Sequence, residues 1–189
     1  MKLIRMVCVA AVLAATSSAY AADDILDAID QARKAYQSGD MASAKQSIDM
    51  ASQLIAQKNA EGFVSLLPKP LAGWKADEAQ TQAMGASMLG GASVATRNYT
   101  NDKGENVEVS INGDNAMLMQ FGPMLNNPAL AGAMGKLVKV GDQRAIQTKE
   151  GDVMMMVANK FLVHVQGSAD AAAKMSYAQA VDVGKLSKM

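Results

Sequence analysis

Between Pro68 and Trp74 the hydrophobic pattern of the chain changes its period, and that change limits the folds open to it. Upstream, apolar residues recur every three or four positions. Downstream they alternate. The first spacing keeps apolar side chains on one face of a helix and the second keeps them on one face of a strand. Pro68 and Pro70 lack the backbone donor a helix needs and push their predecessors out of helical geometry, so no helix crosses this boundary. The chain therefore reads as a helical N-terminal part followed by a part dominated by sheet.

In the helical part, Ile25, Ile29, Ala32 and Tyr36 lie on one stripe, with Asp23 and Asp24 at a helix start where the dipole favours negative charge. Ser38-Gly39-Asp40 ends this helix. Gly39 suits the left-handed C-terminal position and Asp40 caps a second helix. That helix runs from Met41 to Lys58, with Ala44, Ile48, Ala51 and Ile55 on one face. Asn59 to Gly73 reads as a linker carrying Phe63, Val64, Leu66 and Leu67, and Trp74 reads as a core anchor. Ala35-Tyr36, Gly39-Asp40, Ala44, Ile48 and Ala51 resemble the turn and second helix of a tetratricopeptide repeat. The early Trp, the Leu-Gly and the closing Pro of that family are missing, and a single copy is present where a solenoid needs about three. The expectation is a helical hairpin docked on the main domain.

From Trp74 onward a weak strand is expected over Lys75–Gln82, a loop over Met84–Ala92 and a strand over Ser93–Thr100. A turn at Asn101-Asp102-Lys103-Gly104 then leads into a strand over Glu105–Asn112. In the last of these, Val107, Val109 and Ile111 face one way and Asn106, Glu108 and Ser110 the other. A Met-rich helix over Ala116–Leu125 and a short helix from Asn126 to Met134 follow. Then come strands at Lys136–Val140, Gln143–Glu150, Asp152–Ala158 and Phe161–Gly167, and a last helix opened by Asp170, with Ala173, Tyr177 and Ala180 on one face. The fold class is α+β: an antiparallel meander sheet with helices, preceded by an N-terminal helical hairpin.

A two-residue loop at Asn159-Lys160 would pair Ala158 with Phe161 and Met155 with His164. Met154, Met156, Phe161, Val163 and Val165 would then face the core. Val153, Met155, Val157, Leu162, His164 and Gln166 would form a second face, too apolar to be bare, which the helical hairpin is expected to cover.

At the N-terminus, Lys2 and Arg5 precede an apolar run from Met6 to Ala15, and Ala19-Tyr20-Ala21 presents small residues where a signal peptidase cleaves. Cleavage is expected after Ala21, or else after Ala22. This divides the chain into a signal peptide (1–21), the helical hairpin (22–59) and the α+β domain (60–189). The only cysteine, Cys8, leaves with the signal, so disulfides and thiolate metal sites are excluded from the exported chain. No later stretch is long and apolar enough to span a bilayer. The expected location is the periplasm or outside the cell. Removing Lys2 and Arg5 from 18 basic and 18 acidic residues leaves 16 against 18. That balance argues against nucleic acid, whose phosphates demand clustered cations.

The run from Leu66 to Leu186 is similar to uncharacterised exported proteobacterial proteins. The shared features are the Leu67-Pro68 and Gly73-Trp74 opening, the strand Val107–Ile111, Asn127-Pro128-Ala129 and Val165-Gln166-Gly167. The element order resembles the PsbP and Mog1-like group, which implies a binding or assembly role and transfers no catalytic residue.

Catalytic signatures are missing. No Gly-x-Ser-x-Gly surrounds a serine, one histidine serves the whole chain, and the Gly85–Gly91 stretch lacks the Gly-Lys-Ser/Thr of a phosphate cradle. The acid pairs Asp23/Asp24 and Asp77/Glu78 read as solvated charge. The anomaly is 15 methionines against 3 phenylalanines and 1 tryptophan. Methionine fills irregular cores, and thioethers also bind copper(I). Met117 and Met119 diverge on a helix. The expected pair Met155 and His164 is thus the place to look for copper. The leading expectation is a soluble periplasmic binding or envelope-associated accessory protein with an unknown protein partner, no catalytic residues and no cofactor. The alternative is a copper(I)-binding metallochaperone using Met155 and His164.

Overall fold

The computed structural model describes residues 17–85, 91–113, 118 and 127–189. The expected signal peptide core, the Met-rich helix over Ala116–Leu125 and most of the Met84–Ala92 loop lie outside the described residues. Two helices, α1 (Ser17–Gln37) and α2 (Met41–Val64), form an antiparallel hairpin. Eight strands follow: β1 (Trp74–Ala76), β2 (Gln80–Met84), β3 (Ala92–Asn101), β4 (Asn106–Gly113), β5 (Lys136–Val140), β6 (Gln143–Gln147), β7 (Val153–Val157) and β8 (Phe161–Gln166). Helix α3 (Pro128–Met134) precedes β5, while α4 (Ala171–Ala180) and α5 (Val183–Leu186) close the chain.

The turn between α1 and α2 is built as its residues dictate. Gly39 takes a left-handed φ of 82°. Asp40 accepts hydrogen bonds from the Ser43 backbone N–H (3.0 Å) and hydroxyl (2.7 Å), which hold its carboxyl below the usual range. Asp23 and Asp24 lie inside α1 rather than at its start, because the helix begins at Ser17. Helix α2 runs past Lys58 to Val64, so the first part of the expected linker is helical, and it brings Phe63 into the core. The two prolines stop it as anticipated.

All strand pairs are antiparallel, in the order β1-β3-β4-β8-β7-β6-β5, with β2 also on β3. The weak first strand is thus two short strands sharing one edge of β3. β5 to β8 are the meander, and β4 joins it to the β3–β4 hairpin. The β4–β8 junction is fixed at one end by Asn106 and Ser168, which exchange three hydrogen bonds of 2.7 to 2.9 Å. Gly167 beside them adopts φ 134°, and a Cβ there would collide with the Asn106 carbonyl oxygen.

One face of the sheet carries the core. Ala95, Tyr99, Val107, Val109, Ile111, Val153, Met155, Val157, Phe161, Val163 and Val165 are buried there under Phe63 of α2, Leu66 and Leu67 just after it, and Tyr177 and Ala178 of α4. Phe63 meets Phe161 edge to face at 5.6 Å. Trp74 is half-buried at the rim of this core and packs edge-on against Tyr177 at 5.4 Å, so the core-anchor reading holds. Tyr99 donates to the Pro68 carbonyl oxygen at 2.6 Å, tying the proline linker to the sheet. A buried polar tie was not anticipated: Lys174 of α4 is 2% exposed and donates to Asp152 Oδ1 (2.7 Å) and the Glu150 carbonyl oxygen (2.8 Å).

The β7–β8 hairpin differs from expectation by one residue. Val157 pairs with Phe161 and Met154 with His164, so Met155 pairs with Val163. Ala158 and Asn159 both take left-handed φ values, 52° and 54°, and Lys160 N–H closes the turn on the Val157 carbonyl oxygen at 3.0 Å. The shift places every valine of β7 and β8, with Met155 and Phe161, on the core face. Met154, Met156, Leu162, His164 and Gln166 share the other. The helical hairpin does not cover that second face: the end of α2 lies on the core face, and α1 packs chiefly on α2.

Candidate functional site

Two surfaces concentrate groups that the fold does not use. The first is one side of the helical hairpin. Ala28 and Ala32 of α1 and Ala44 and Ala51 of α2 are buried in the seam, where small side chains let the helices approach. A residue one step past the seam is rotated by about 100° around its helix. In an antiparallel pair that rotation carries residues of both helices to the same side. Ile29 and Tyr36 of α1 and Ile48 and Ile55 of α2 occupy such steps, and Leu26 and Met41 fall on the same side. Their exposures are Leu26 62%, Ile29 47%, Tyr36 64%, Met41 63%, Ile48 59% and Ile55 44%. The apolar stripes expected to pack therefore split. Their alanines pack, and their large side chains face outward.

The opposite side of the hairpin is a shallow groove of mixed character, where Asp24, Asp27, Gln31, Ser43 and Gln46 stand beside Met50 and Leu54. The apolar side is rimmed by ion pairs internal to each helix, Asp30–Arg33 at 3.1 Å and Lys45–Asp49 at 2.7 Å. Its rim thus carries balanced charge.

The second surface is the outer face of β4, β8 and β7. The Ser110↔His164 and His164↔Met154 pairings place these three side chains in one row, and Ile146, 1% exposed, extends it on β6. Glu108, Gln166 and Met156 flank the row. Burial holds the His164 imidazole below its ordinary value of 6.5, against the opposing pull of Asp152 and Glu108. Both carboxylates are committed elsewhere: Gln166 Nε2 donates to Glu108 Oε1 at 2.7 Å, and Lys174 holds Asp152.

The expected copper pair is not brought together. Met155 is 1% exposed in the core and His164 stands on the opposite face. Among the described residues no three His, Cys, Asp or Glu side chains are grouped to hold a metal ion. Asp77 and Glu78 are exposed, and Met117 and Met119 lie outside the described residues. The apolar hairpin face escaped the sequence reading because a stripe of alternating large and small residues looks like one packing surface. The abundance of alanine on it was the available signal.

No protein-family model matches the chain, and neither the curated proteins nor the solved structures contain a significant match.

Proposed function

We propose that the chain is an exported, non-enzymatic binding protein of the bacterial envelope that holds a protein partner on the apolar side of its helical hairpin. One observation carries this reading: six large apolar side chains, each more than two-fifths exposed, are collected on one side of α1 and α2, while the reverse side mixes polar side chains with Met50 and Leu54. Scattered apolar residues are normal on a protein surface. Contiguous apolar patches larger than a few hundred Å2 mark interaction sites. The signal-like residues Lys2, Arg5, Met6–Ala15 and Ala19–Ala21 support export, and no described helix is long and apolar enough to cross a membrane. Helix faces of this kind are recognised through apolar anchors spaced three, four and seven residues apart. Ile29 and Tyr36, and Met41, Ile48 and Ile55, have the seven-residue spacing.

The test uses the chain from Ala22 onward, immobilised and exposed to periplasmic extract, beside two variants. Ile29→Glu with Ile48→Glu places charge on the apolar side, and Gln31→Glu with Gln46→Glu places it on the reverse side. A protein retained by the wild type and the second variant and lost with the first supports the reading. Equal retention by all three, or none by any, overturns it.

A further inference from the structure

We infer that His164, Met154 and Met156 form a copper(I) site on the outer face of β7 and β8. The register carries this. Met154 is the direct cross-strand partner of His164, and facing residues in an antiparallel pair hold their Cβ atoms about 5 Å apart. Met156, two residues along β7, points to the same face and is set about 7 Å further along the strand. The flexible thioether stems are long enough to cover that separation, and the two thioethers and the imidazole share one face of two adjacent strands. All three side chains are half-buried and remain open in part to solvent.

The imidazole is available. Among the described residues neither ring nitrogen makes a hydrogen bond, and the two carboxylates that act on it electrostatically, Glu108 and Asp152, are held by Gln166 and Lys174. Two thioethers and an imidazole are a soft donor set, suited to copper(I) and poorly suited to magnesium or calcium, which take oxygen. Leu162 and buried Ile146 surround the donors with hydrocarbon, which favours a weakly hydrated monovalent ion over a hydrated divalent one. Glu108 and Asp152 add negative charge nearby without entering the donor set. The site is separate from the hairpin face and stands or falls without it.

The experiment is an anaerobic copper(I) titration of the chain from Ala22 onward against a chromophoric competing chelator. It is paired with NMR of the imidazole, which needs no assignment because the chain has one histidine. Met154→Leu and His164→Gln remove donors. Met155→Leu, in the core, is the control, and thermal melting verifies that each variant folds. The expected result is one copper(I) per chain, a shift of the His164 resonances that saturates at the same stoichiometry, and a loss of at least about tenfold in affinity in both donor variants. The control keeps wild-type affinity. Failure to compete, an unmoved imidazole, or donor variants that bind as the wild type does would each overturn the site.

Discussion

Tyr99 shows how much one residue holds in this fold. It is fully buried, its ring lies 4.4 Å from that of Tyr177, and its hydroxyl donates to the Pro68 carbonyl oxygen. Burial pushes its hydroxyl up to about 12 from the ordinary 10, against the lowering influence of Arg97. Because the folded value is raised, the stabilisation is fully present below pH 10 and is lost as pH rises from 10 through 12. Burial raises Tyr177 in the same direction. At pH 7, Tyr99→Phe is expected to be less stable by about 1–2 kcal/mol, since it leaves the Pro68 carbonyl without its donor. The gap between the two proteins narrows as pH climbs toward 12. Urea denaturation of both proteins at pH 7, 10 and 11.5 measures it; a gap that stays constant would contradict the assignment. The sequence gives no hint of this hydrogen bond, because Tyr99 and Pro68 meet only when α2 ends over β3. Lys174 teaches the same lesson. It follows three alanines in a helix where its charge reads as solvated, yet the β6–β7 turn folds over it and supplies both oxygens it needs.

At the scale of elements, boundaries set by glycine, proline and capping residues were readable, and registers were not. The C-terminal end of α1, the start of α2, the start of α4 and the β3–β4 turn fall where Gly39, Asp40, Asp170 and Asn101–Gly104 place them. The β7–β8 hairpin slipped by one residue because Ala158, which has no local reason to adopt a left-handed conformation, does so. What compels it is burial: the observed register puts four valines, Met155 and Phe161 on one face, whereas the two-residue loop would split them between two. A non-glycine residue held at positive φ is strained by about 1 kcal/mol. Ala158→Gly is therefore expected to stabilise the fold by about 0.5–1 kcal/mol, seen as a higher urea midpoint with unchanged slope. A lower midpoint would mean that the turn is not strained at this position. The same slip replaced Met155 with Met154 as the cross-strand neighbour of His164, so the pair legible in the sequence is split between two faces of the sheet.

For the whole molecule, the two parts of the chain are not equally anchored. The sheet shares one core with the end of α2 and with α4, while α1 packs chiefly on α2 through an alanine seam that buries little hydrocarbon. Stability is then distributed unevenly. In native-state hydrogen exchange, amides of α1 should exchange through local opening, insensitive to low urea, while those of β4 and β8 should exchange only with global unfolding. Protection of α1 equal to that of β4 would show that the hairpin folds as part of the core. Helix α1 is thus the loosely held member of the hairpin, while α2 is tied to the sheet through its C-terminal part.

Sequence by itself determined the class of the fold, since period, proline and capping chemistry are local and act before any tertiary contact forms. It also determined that residues 22–189 carry no cysteine, since the only one is Cys8. Tertiary structure alone decided which apolar residues became core. Met155 and Met154 are identical in chemistry and adjacent in sequence. One is buried and the other stands beside His164, because a strand alternates its faces and only the pairing of distant strands fixes which face meets the helices. Ile48 and Ala51 share a stripe on α2, and the close approach of α1 admits only the smaller. Burial is a property of the assembled chain, so the surfaces that remain open are settled last.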